Sequence, residues 1–317
     1  MSTLDKVTVL GGGVLGGQIA WHCAFKGKTV VIYDISEEAL DRCRGAHGQY
    51  ASIYLAEIGA SEQDIADTYA RLTYTTDIAS AVAGQDLVVE AVPEIPELKT
   101  KVYTEIAGLL DARTLIATNS STLLPRDFAE ATGRPGKYCA LHFANLIWTL
   151  NVAEIMAHPG TAADTLTHIT EFAIEIGMVP VPMHREQNGY VLNTWLVPLL
   201  NAAQTLVTNG VATPEDIDRT YMIVNRGVPR GPMGVFDVIG MKTAYDVLAY
   251  WGERNDDQQM LANAAYLKEN FLHQGKLGLQ SGQGYYNYPD PAYADPDFLS
   301  VPQISSASDI AARAMLT

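Results

Sequence analysis

Basic residues are scarce in this sequence of 317 residues: 21 Lys and Arg stand against 36 Asp and Glu, which gives a net charge of −15. Such an excess of negative charge repels nucleic acids and anionic membranes, so neither is an expected partner. It also offers an anionic ligand no general attraction. We therefore expect any phosphate-bearing ligand to be held by local groups, such as the N-terminus of a helix.

Cysteines and long apolar runs are also lacking. The three cysteines are Cys23, Cys43 and Cys139, and no CxxC or HxxxH spacing indicates a metal site. So few thiols argue against a disulfide framework and are typical of a reducing cytoplasm. No apolar run reaches the roughly 18 residues of a membrane span, and the first residues lack the features of a signal peptide. We expect a cytoplasmic protein that does not contact a membrane.

The first 185 residues alternate between strand and helix patterns. Apolar runs predict buried strands at 6–10, 29–33, 87–92, 115–118 and 138–143. Periodic segments between them predict helices at about 14–26, 37–58, 96–110 and 125–132. This alternation predicts an α/β fold with a parallel, doubly wound Rossmann sheet.

The pattern changes near residue 186. A long apolar helix is predicted over 190–208, followed by helices at 214–224, 236–252 and 258–272 and no further clear strand. The chain is also too long for one ordinary core. We predict a Rossmann domain over 1–186 and a mostly α-helical domain over 187–317, with an irregular tail from Pro289 and a short last helix from about residue 307.

The strongest motif is a glycine-rich loop, Gly11-Gly12-Gly13-Val14-Leu15-Gly16. It follows the first strand and opens a helix, which is the context that a dinucleotide fingerprint requires. Gly11 would allow a tight turn, Gly13 a close approach of the pyrophosphate, and Gly16 close packing of the helix on the strand.

Asp34 ends the second predicted strand, 18 residues beyond Gly16. A carboxylate at this point can accept hydrogen bonds from the ribose hydroxyls of the adenosine and would repel a 2′-phosphate. The sequence therefore predicts NAD rather than NADP as the cofactor. The alternative is a tight turn without a ligand, with Asp34 capping a helix.

Oxidation of an alcohol requires a base, and histidine is suited to this because it titrates near neutrality. Of the seven histidines, six have a surface or packing explanation. His142 ends a predicted strand, where α/β sheets bind their ligands. Twelve residues on, Glu154 interrupts an apolar stretch and needs a partner, which a histidine would supply. Spacing alone leaves this pairing open.

A second polar cluster, Thr118-Asn119-Ser120-Ser121-Thr122, follows another predicted strand. Ser121 could bind the reacting oxygen beside the nicotinamide. A turn with a helix cap explains the same residues equally well.

Together these motifs resemble the L-3-hydroxyacyl-CoA dehydrogenase family, including the bacterial 3-hydroxybutyryl-CoA dehydrogenases. The likeness runs from about residue 5 to residue 288 and adds several segments to the motifs above. These segments are 90–99, 119–121, 141–145, 188–193, 230–234, 236–237 and 282–288.

The resemblance implies a role for each matching residue. His142 would be the general base, Glu154 would orient it, and Ser121 and Asn193 would bind the substrate oxygens. Cofactor contacts would come from Gly11, Gly13, Val14, Leu15, Gly16, Asp34, Glu94, Lys99 and Asn119. The family also implies a homodimer formed through the second domain, and an acyl substrate carried as a CoA thioester.

Two departures from the family pattern affect the substrate. Ala144 and Leu146 stand where the family usually has Phe and Pro, and Arg71 is the only Lys or Arg between Arg44 and Lys99, where the family places basic groups near the CoA phosphates. A dehydrogenase of a small free hydroxy acid, like the carnitine and L-gulonate dehydrogenases of the same architecture, is therefore a rival. A non-catalytic NAD-binding protein is another.

A third rival, a β-hydroxyacid dehydrogenase, would need a lysine near Asn193, and none follows in the first turns of its predicted helix.

Overall fold

The computed structural model describes residues 4–212, 214–228 and 230–315. Contacts divide the chain into unit 1, Met1–Ala202 with Val301–Thr317, and unit 2, Ala203–Ser300. The predicted division at residue 186 assigned the tail to the second domain. The grouping differs because the last helix packs against a helix and a strand of unit 1.

Unit 1 contains one eight-stranded sheet in the order β3-β2-β1-β4-β5-β6-β7-β8. The strands are β1 (Lys6–Leu10), β2 (Thr29–Tyr33), β3 (Leu72–Thr75), β4 (Leu87–Glu90), β5 (Leu115–Thr118), β6 (Tyr138–Phe143), β7 (Val152–Met156) and β8 (Val179–Met183). Every pair of neighbours is parallel except β6 and β7. This confirms the predicted Rossmann sheet and adds three strands that the apolar runs did not reveal.

Helices accompany the sheet in unit 1. They are α1 (Val14–Phe25), α2 (Glu37–Ile53), α3 (Glu62–Ala70), α4 (Ile78–Val82), α5 (Pro96–Ala107), α6 (Ala163–Glu175), the start of α7 (Leu192–Thr208) and α12 (Ala307–Ala314). The predicted helix at 125–132 is wrong: two short 3₁₀ turns occupy it, Pro125–Asp127 and Glu130–Thr132. Pro125 begins the first turn, and Gly133, in the left-handed conformation, ends the second.

Alternate strand residues form two hydrophobic clusters. Val7 and Val89 belong to one, and Leu10 and Val88 to the other, because successive side chains of a strand point to opposite faces. The strands therefore contribute buried apolar side chains on both faces, as expected for a sheet covered on both sides.

The single antiparallel pair places His142 opposite Glu154. Only residues 144–151 separate β6 from β7, which is too short for the crossover that a parallel pair requires. The register aligns His142 with Glu154 and Phe143 with Ala153. Directly opposite residues point to the same face, so this reversal brings the two side chains together.

Unit 2 is helical in its described residues, as predicted. Its helices are the end of α7, α8 (Pro214–Val224), α9 (Pro232–Ile239), α10 (Met241–Asn255) and α11 (Gln258–Asn270). The helix predicted over 236–252 is divided at Gly240, whose φ of 90° an α-helix does not allow. Within this unit, buried Asp237 accepts hydrogen bonds from the Tyr285 and Tyr286 amides and the Tyr288 hydroxyl.

In the described ranges, no helix combines the length and apolarity that a membrane crossing would need.

Candidate active site

The glycine loop joins β1 to α1 through two close backbone approaches. Gly11 has a φ of 104°, and a Cβ on it would lie 2.6 Å from the Ala91 carbonyl oxygen. A Cβ on Gly16 would lie 2.0 Å from the Gly11 oxygen. Both positions exclude a side chain, so the loop and the helix are held tightly against β1 and β4, as the motif predicts.

Gly13 differs, because a Cβ there would meet nothing within 4 Å. It is the N-cap of α1 and supplies no side-chain hydrogen bond to the first turn of the helix. The amides of that turn therefore remain available to an anion. This open space over a helix N-terminus fits a pyrophosphate.

Asp34 lies beside this loop. Its Oδ2 accepts a hydrogen bond from the Gly12 amide at 2.9 Å, and its Oδ1 accepts one from the Ile35 amide at 2.7 Å. It lines a cavity of about 670 Å³ with the glycine loop, Ala91, Val92 and residues of α2 and α5. The carboxylate is thus placed where an adenosine ribose would lie next to the loop.

A second cavity of about 480 Å³ continues past Gly13 and Val14 towards the ends of β5 and β6. Its lining residues are Gly13, Val14, Leu15, Gly16, Ala91, Val92, Glu94, Asn119, Ser121 and Asn145. The glycine loop, the serine cluster and the loop after His142 therefore meet in one place.

His142 and Glu154 form a buried pair at this edge of the sheet. The His142 Nδ1 lies 2.8 Å from the Glu154 Oε2, and the side chains are 3% and 1% exposed. The His142 Nε2 lies 3.1 Å from the Ser121 Oγ. The imidazole thus connects the carboxylate on one side with the serine that lines the cavity on the other.

The second oxygen of Glu154 contacts the start of α7. The Val191 and Leu192 amides donate to the Glu154 Oε1 at 2.8 and 2.9 Å. At the second residue of the helix, the Asn193 Nδ2 donates to the Ser121 carbonyl oxygen at 3.2 Å. The four residues predicted to be catalytic are therefore joined by hydrogen bonds.

Glu94 holds the serine loop in place. Its Oε1 accepts hydrogen bonds from the Ser120 hydroxyl and from the amides of Ser121 and Thr122, at 2.5, 3.0 and 2.8 Å. Burial by itself would raise the pKa of Glu94, but the Ser120 hydroxyl, the Lys99 ammonium and Thr122 lower it to about 2. This carboxylate is charged at neutral pH and fixes the backbone of Ser121.

Lys99 is buried behind Glu94 rather than exposed to either cavity. Its Nζ lies 2.6 Å from the Glu90 Oε1 and 3.2 Å from the Glu94 Oε2. Glu90 in turn accepts hydrogen bonds from Tyr103 and Thr118. The structure therefore presents Lys99 as a support for Glu94, and its contact with the cofactor stays a prediction.

Asn119 and Gln18 connect the loops around the cavity. The Asn119 Oδ1 accepts from the Phe143 amide at 2.9 Å, which ties the end of β6 to the end of β5. The Gln18 Oε1 accepts from the Leu146 amide at 2.7 Å, which ties α1 to the loop after His142. A proline at residue 146 has no N–H and could not make the second bond. Leu146, the residue that departs from the family pattern, therefore allows this contact with Gln18.

His47, for which the sequence predicts only a packing role, contacts the first turn of α1, next to the glycine loop. Its Nε2 lies 3.0 Å from the Gly17 carbonyl oxygen and its Nδ1 lies 2.6 Å from the Tyr74 hydroxyl. Burial lowers the pKa of His47 to about 4, so the ring is neutral. The sequence around His47 does not reveal these contacts, because both partners of the ring lie on other elements.

No group of three or more His, Cys, Asp or Glu side chains placed to hold a metal ion occurs among the described residues.

Two family models match consecutive parts of the chain. The 3-hydroxyacyl-CoA dehydrogenase NAD binding domain covers residues 6–187, and the C-terminal domain of the same family covers residues 189–288. The chain belongs to the 3-hydroxyacyl-CoA dehydrogenase family. This confirms the resemblance and the NAD cofactor, and the models meet next to residue 186. Members of this family are NAD-dependent oxidoreductases.

Three relatives illustrate the range of the family. Rat mitochondrial hydroxyacyl-coenzyme A dehydrogenase is 32% identical, and the match covers 90% of this chain and 91% of the relative. A probable 3-hydroxybutyryl-CoA dehydrogenase of Deinococcus radiodurans is 31% identical over 89% of this chain and 100% of the relative. A solved diketoreductase structure, described for dual catalysis of dicarbonyl compounds, is 45% identical with a TM-score of 0.66. It covers 91% of this chain and is itself covered completely.

Gly13→Ala and Gly16→Ala should separate cofactor binding from folding. Because Gly13 has open space, its variant should keep the free energy of unfolding to within about 1 kcal/mol but bind NADH at least about tenfold more weakly. Gly16→Ala should lower the free energy of unfolding by about 3 kcal/mol or more, because its Cβ meets backbone. Denaturant unfolding and NADH fluorescence titration measure both effects. Unchanged NADH affinity in Gly13→Ala would contradict the assignment of the pyrophosphate site.

Asp34→Ser should reduce the preference for NADH over NADPH by about tenfold or more, since the charge that repels a 2′-phosphate is lost. Dissociation constants for both cofactors measure it. Asp34→Asn is the matched control for charge, because an amide oxygen can still accept from the Gly12 amide. An unaltered ratio of the two constants in both variants would remove Asp34 from cofactor selection.

His142→Gln should lower kcat by roughly 10²–10⁴ while NADH affinity changes little, because only proton transfer is lost. Steady-state kinetics and NADH titration give the two quantities. His168→Gln, which alters a half-exposed histidine on α6, is the control and should retain kcat. A His142→Gln enzyme with wild-type kcat would exclude this imidazole from the reaction.

Proposed function

We propose that this protein interconverts a 3-hydroxyacyl and a 3-oxoacyl group with NAD, acting on a short-chain CoA thioester such as 3-hydroxybutyryl-CoA. The observation that carries the proposal is the alignment of Glu154, His142 and Ser121 at the cavity that continues from the glycine loop. The family assignment and the relatives named for hydroxyacyl-CoA substrates support it.

The hydrogen bond to Glu154 decides which nitrogen of His142 can act as a base. A carboxylate accepts but does not donate, so the Nδ1 must carry the proton in the 2.8 Å contact. The Nε2 then has a free lone pair directed towards Ser121. Glu154 also stabilises the imidazolium that forms when the Nε2 takes up a proton.

In the direction of oxidation, the hydroxyl at C3 of the substrate gives its proton to the His142 Nε2. The glycine loop and Asp34 would hold NAD, which would supply the acceptor for the hydride that leaves the same carbon. Ser121, whose Oγ lies 3.1 Å from the Nε2, holds the oxygen as it becomes a carbonyl, and Asn193 fixes the backbone of Ser121. Reduction reverses the proton transfer, with the imidazolium as the acid.

A specific observation favours a second candidate, a substrate without CoA. The hairpin of α2 and α3 exposes Glu57, Glu62 and Asp64. Arg71 is the only Lys or Arg between Arg44 and Lys99, and its Nη1 donates to the Ala24 carbonyl oxygen, 3.5 Å away. Such a surface would repel the phosphates of CoA. The diketoreductase relative, which is described for dicarbonyl compounds, supports a dicarbonyl substrate.

The homodimer, the cytoplasmic location and a place in fatty acid metabolism are part of the same proposal. Apolar side chains exposed on α9, namely Met233, Val235, Val238 and Ile239, support an interface formed by unit 2. Free thiols at all three cysteines agree with a reducing compartment.

The rate with NADH on acetoacetyl-CoA, compared with acetoacetate and ethyl acetoacetate, tests the substrate. We expect kcat/KM to be at least about tenfold higher for the thioester, which corresponds to about 1.4 kcal/mol of transition-state binding by the CoA group. The His142→Gln enzyme supplies the background rate. Turnover of only the two free compounds would establish the second candidate. Tight NADH binding without turnover of any of the three would favour a non-catalytic binding protein.

A further inference from the structure

Tyr190 adopts a backbone conformation that few aromatic residues tolerate. Its φ is 55°, and the preceding Gly189 has a φ of 77°. Glycine adopts this left-handed region freely, whereas a residue with a Cβ is strained there. Strain of this kind persists where the surroundings enforce it, and it is concentrated at functional sites.

The hydroxyl of Tyr190 is also in an unfavourable place. The residue is 0% exposed, and its Oη finds no hydrogen-bond partner within the described ranges. Burial, with the neighbouring Tyr138, Glu94 and Glu154, raises the pKa of this phenol well above its usual value. The group therefore stays protonated and does not supply an acid or a base. The contacts that Tyr190 makes at the site are those of its ring and of the backbone that follows it.

The ring of Tyr190 packs against the imidazole of His142. Their centroids lie 4.9 Å apart and the planes are inclined by 35°. In the plane of the ring, the His142 Nδ1 donates to the Glu154 Oε2, and the Nε2 lies 3.1 Å from the Ser121 Oγ. The imidazole is thus confined by two polar contacts in its plane and by an aromatic ring over its face.

The left-handed turn at Tyr190 also directs the next two amides at Glu154. Val191 and Leu192 both donate to the Oε1, while the Oε2 remains with His142. A buried carboxylate needs such donors to stay charged. The same residue therefore contacts the base with its side chain and serves the partner of the base with its backbone.

We propose that Tyr190 is a positioning residue that holds the imidazole of His142 in line with Glu154 and turns the chain so that the Val191 and Leu192 amides complete the carboxylate site. The proposal rests on His142 being the base of the proposed reaction, but the geometry on which it depends exists without substrate. Loss of the ring frees the imidazole to rotate away from Glu154, and the proton is then no longer confined to the Nδ1.

The test is the tautomer of His142, read from ¹⁵N chemical shifts of protein labelled at histidine, with His142→Gln used to assign the signals. Wild type and Tyr190→Phe, which keeps the ring, should show a proton on the Nδ1 alone. Tyr190→Leu, which keeps a Cβ in the strained backbone conformation but has no ring, should show a mixture of the two tautomers. A folded Tyr190→Leu protein with only the wild-type tautomer would overturn the proposal.

Steady-state kinetics give a second test, because a purely structural role would not lower kcat while leaving the KM for NADH unchanged. Tyr190→Leu should lower kcat by roughly 10- to 100-fold with the KM for NADH unchanged, because the base is misplaced while the cofactor site is intact. Tyr190→Phe should restore kcat. If the wild-type protein reduces none of the proposed substrates, the proposed function fails, but the tautomer measurement still decides the role of Tyr190.

Folding is checked by thermal unfolding and NADH titration of each variant, and Tyr190→Met is measured in parallel as a more flexible replacement for the ring. If one of the two ring-deletion variants does not fold, the other supplies the test. Loss of the folded state in both, with Tyr190→Phe stable, would make the ring a structural core residue and overturn the positioning role.

Discussion

The hydrogen bond between His142 and Glu154 is the interaction on which the active site depends. Both side chains are almost fully buried, so each needs the other as a hydrogen-bond partner in place of water. Breaking a buried ionisable pair by removing one partner costs about 3–5 kcal/mol in typical proteins. Three contacts support this pair: Ser121 on one side of the imidazole, the Val191 and Leu192 amides on the carboxylate, and the Asn119 Oδ1, which anchors the end of β6.

The sheet brings this pair to the cofactor by a change of strand direction. The parallel strands β1, β4, β5 and β6 end at one edge, which carries the glycine loop, the Glu94 loop, the serine cluster and His142. β7 then returns antiparallel, so Glu154 stands opposite His142 without an intervening helix. The glycine loop and the His142–Glu154 pair, the proposed sites of cofactor binding and proton transfer, therefore share one edge because of the sheet topology.

Sequence patterns predicted the elements that have a clear local pattern of apolar residues or glycines. They missed the features that depend on contacts with residues distant in the sequence. The apolar runs and the glycine spacing predicted the first strands, the Rossmann fold and the turn at Gly11, because burial and sterics act locally there. They missed β7, since Glu154 interrupts its apolar pattern for the sake of a contact with another strand. Lys99 and Tyr190 show the same limit: their partners, Glu90 and His142, are set by packing between elements rather than by spacing.

A double-mutant cycle with His142→Gln and Glu154→Gln measures the coupling energy between the two side chains in catalysis. The quantity compared is kcat/KM for the 3-oxo substrate that the wild-type enzyme reduces best. If the two side chains act as one unit, the double variant should be about as slow as His142→Gln alone, with a coupling energy of about 1 kcal/mol or more. Effects that simply add, with each substitution lowering the rate independently of the other, would contradict a shared role for the imidazole and the carboxylate.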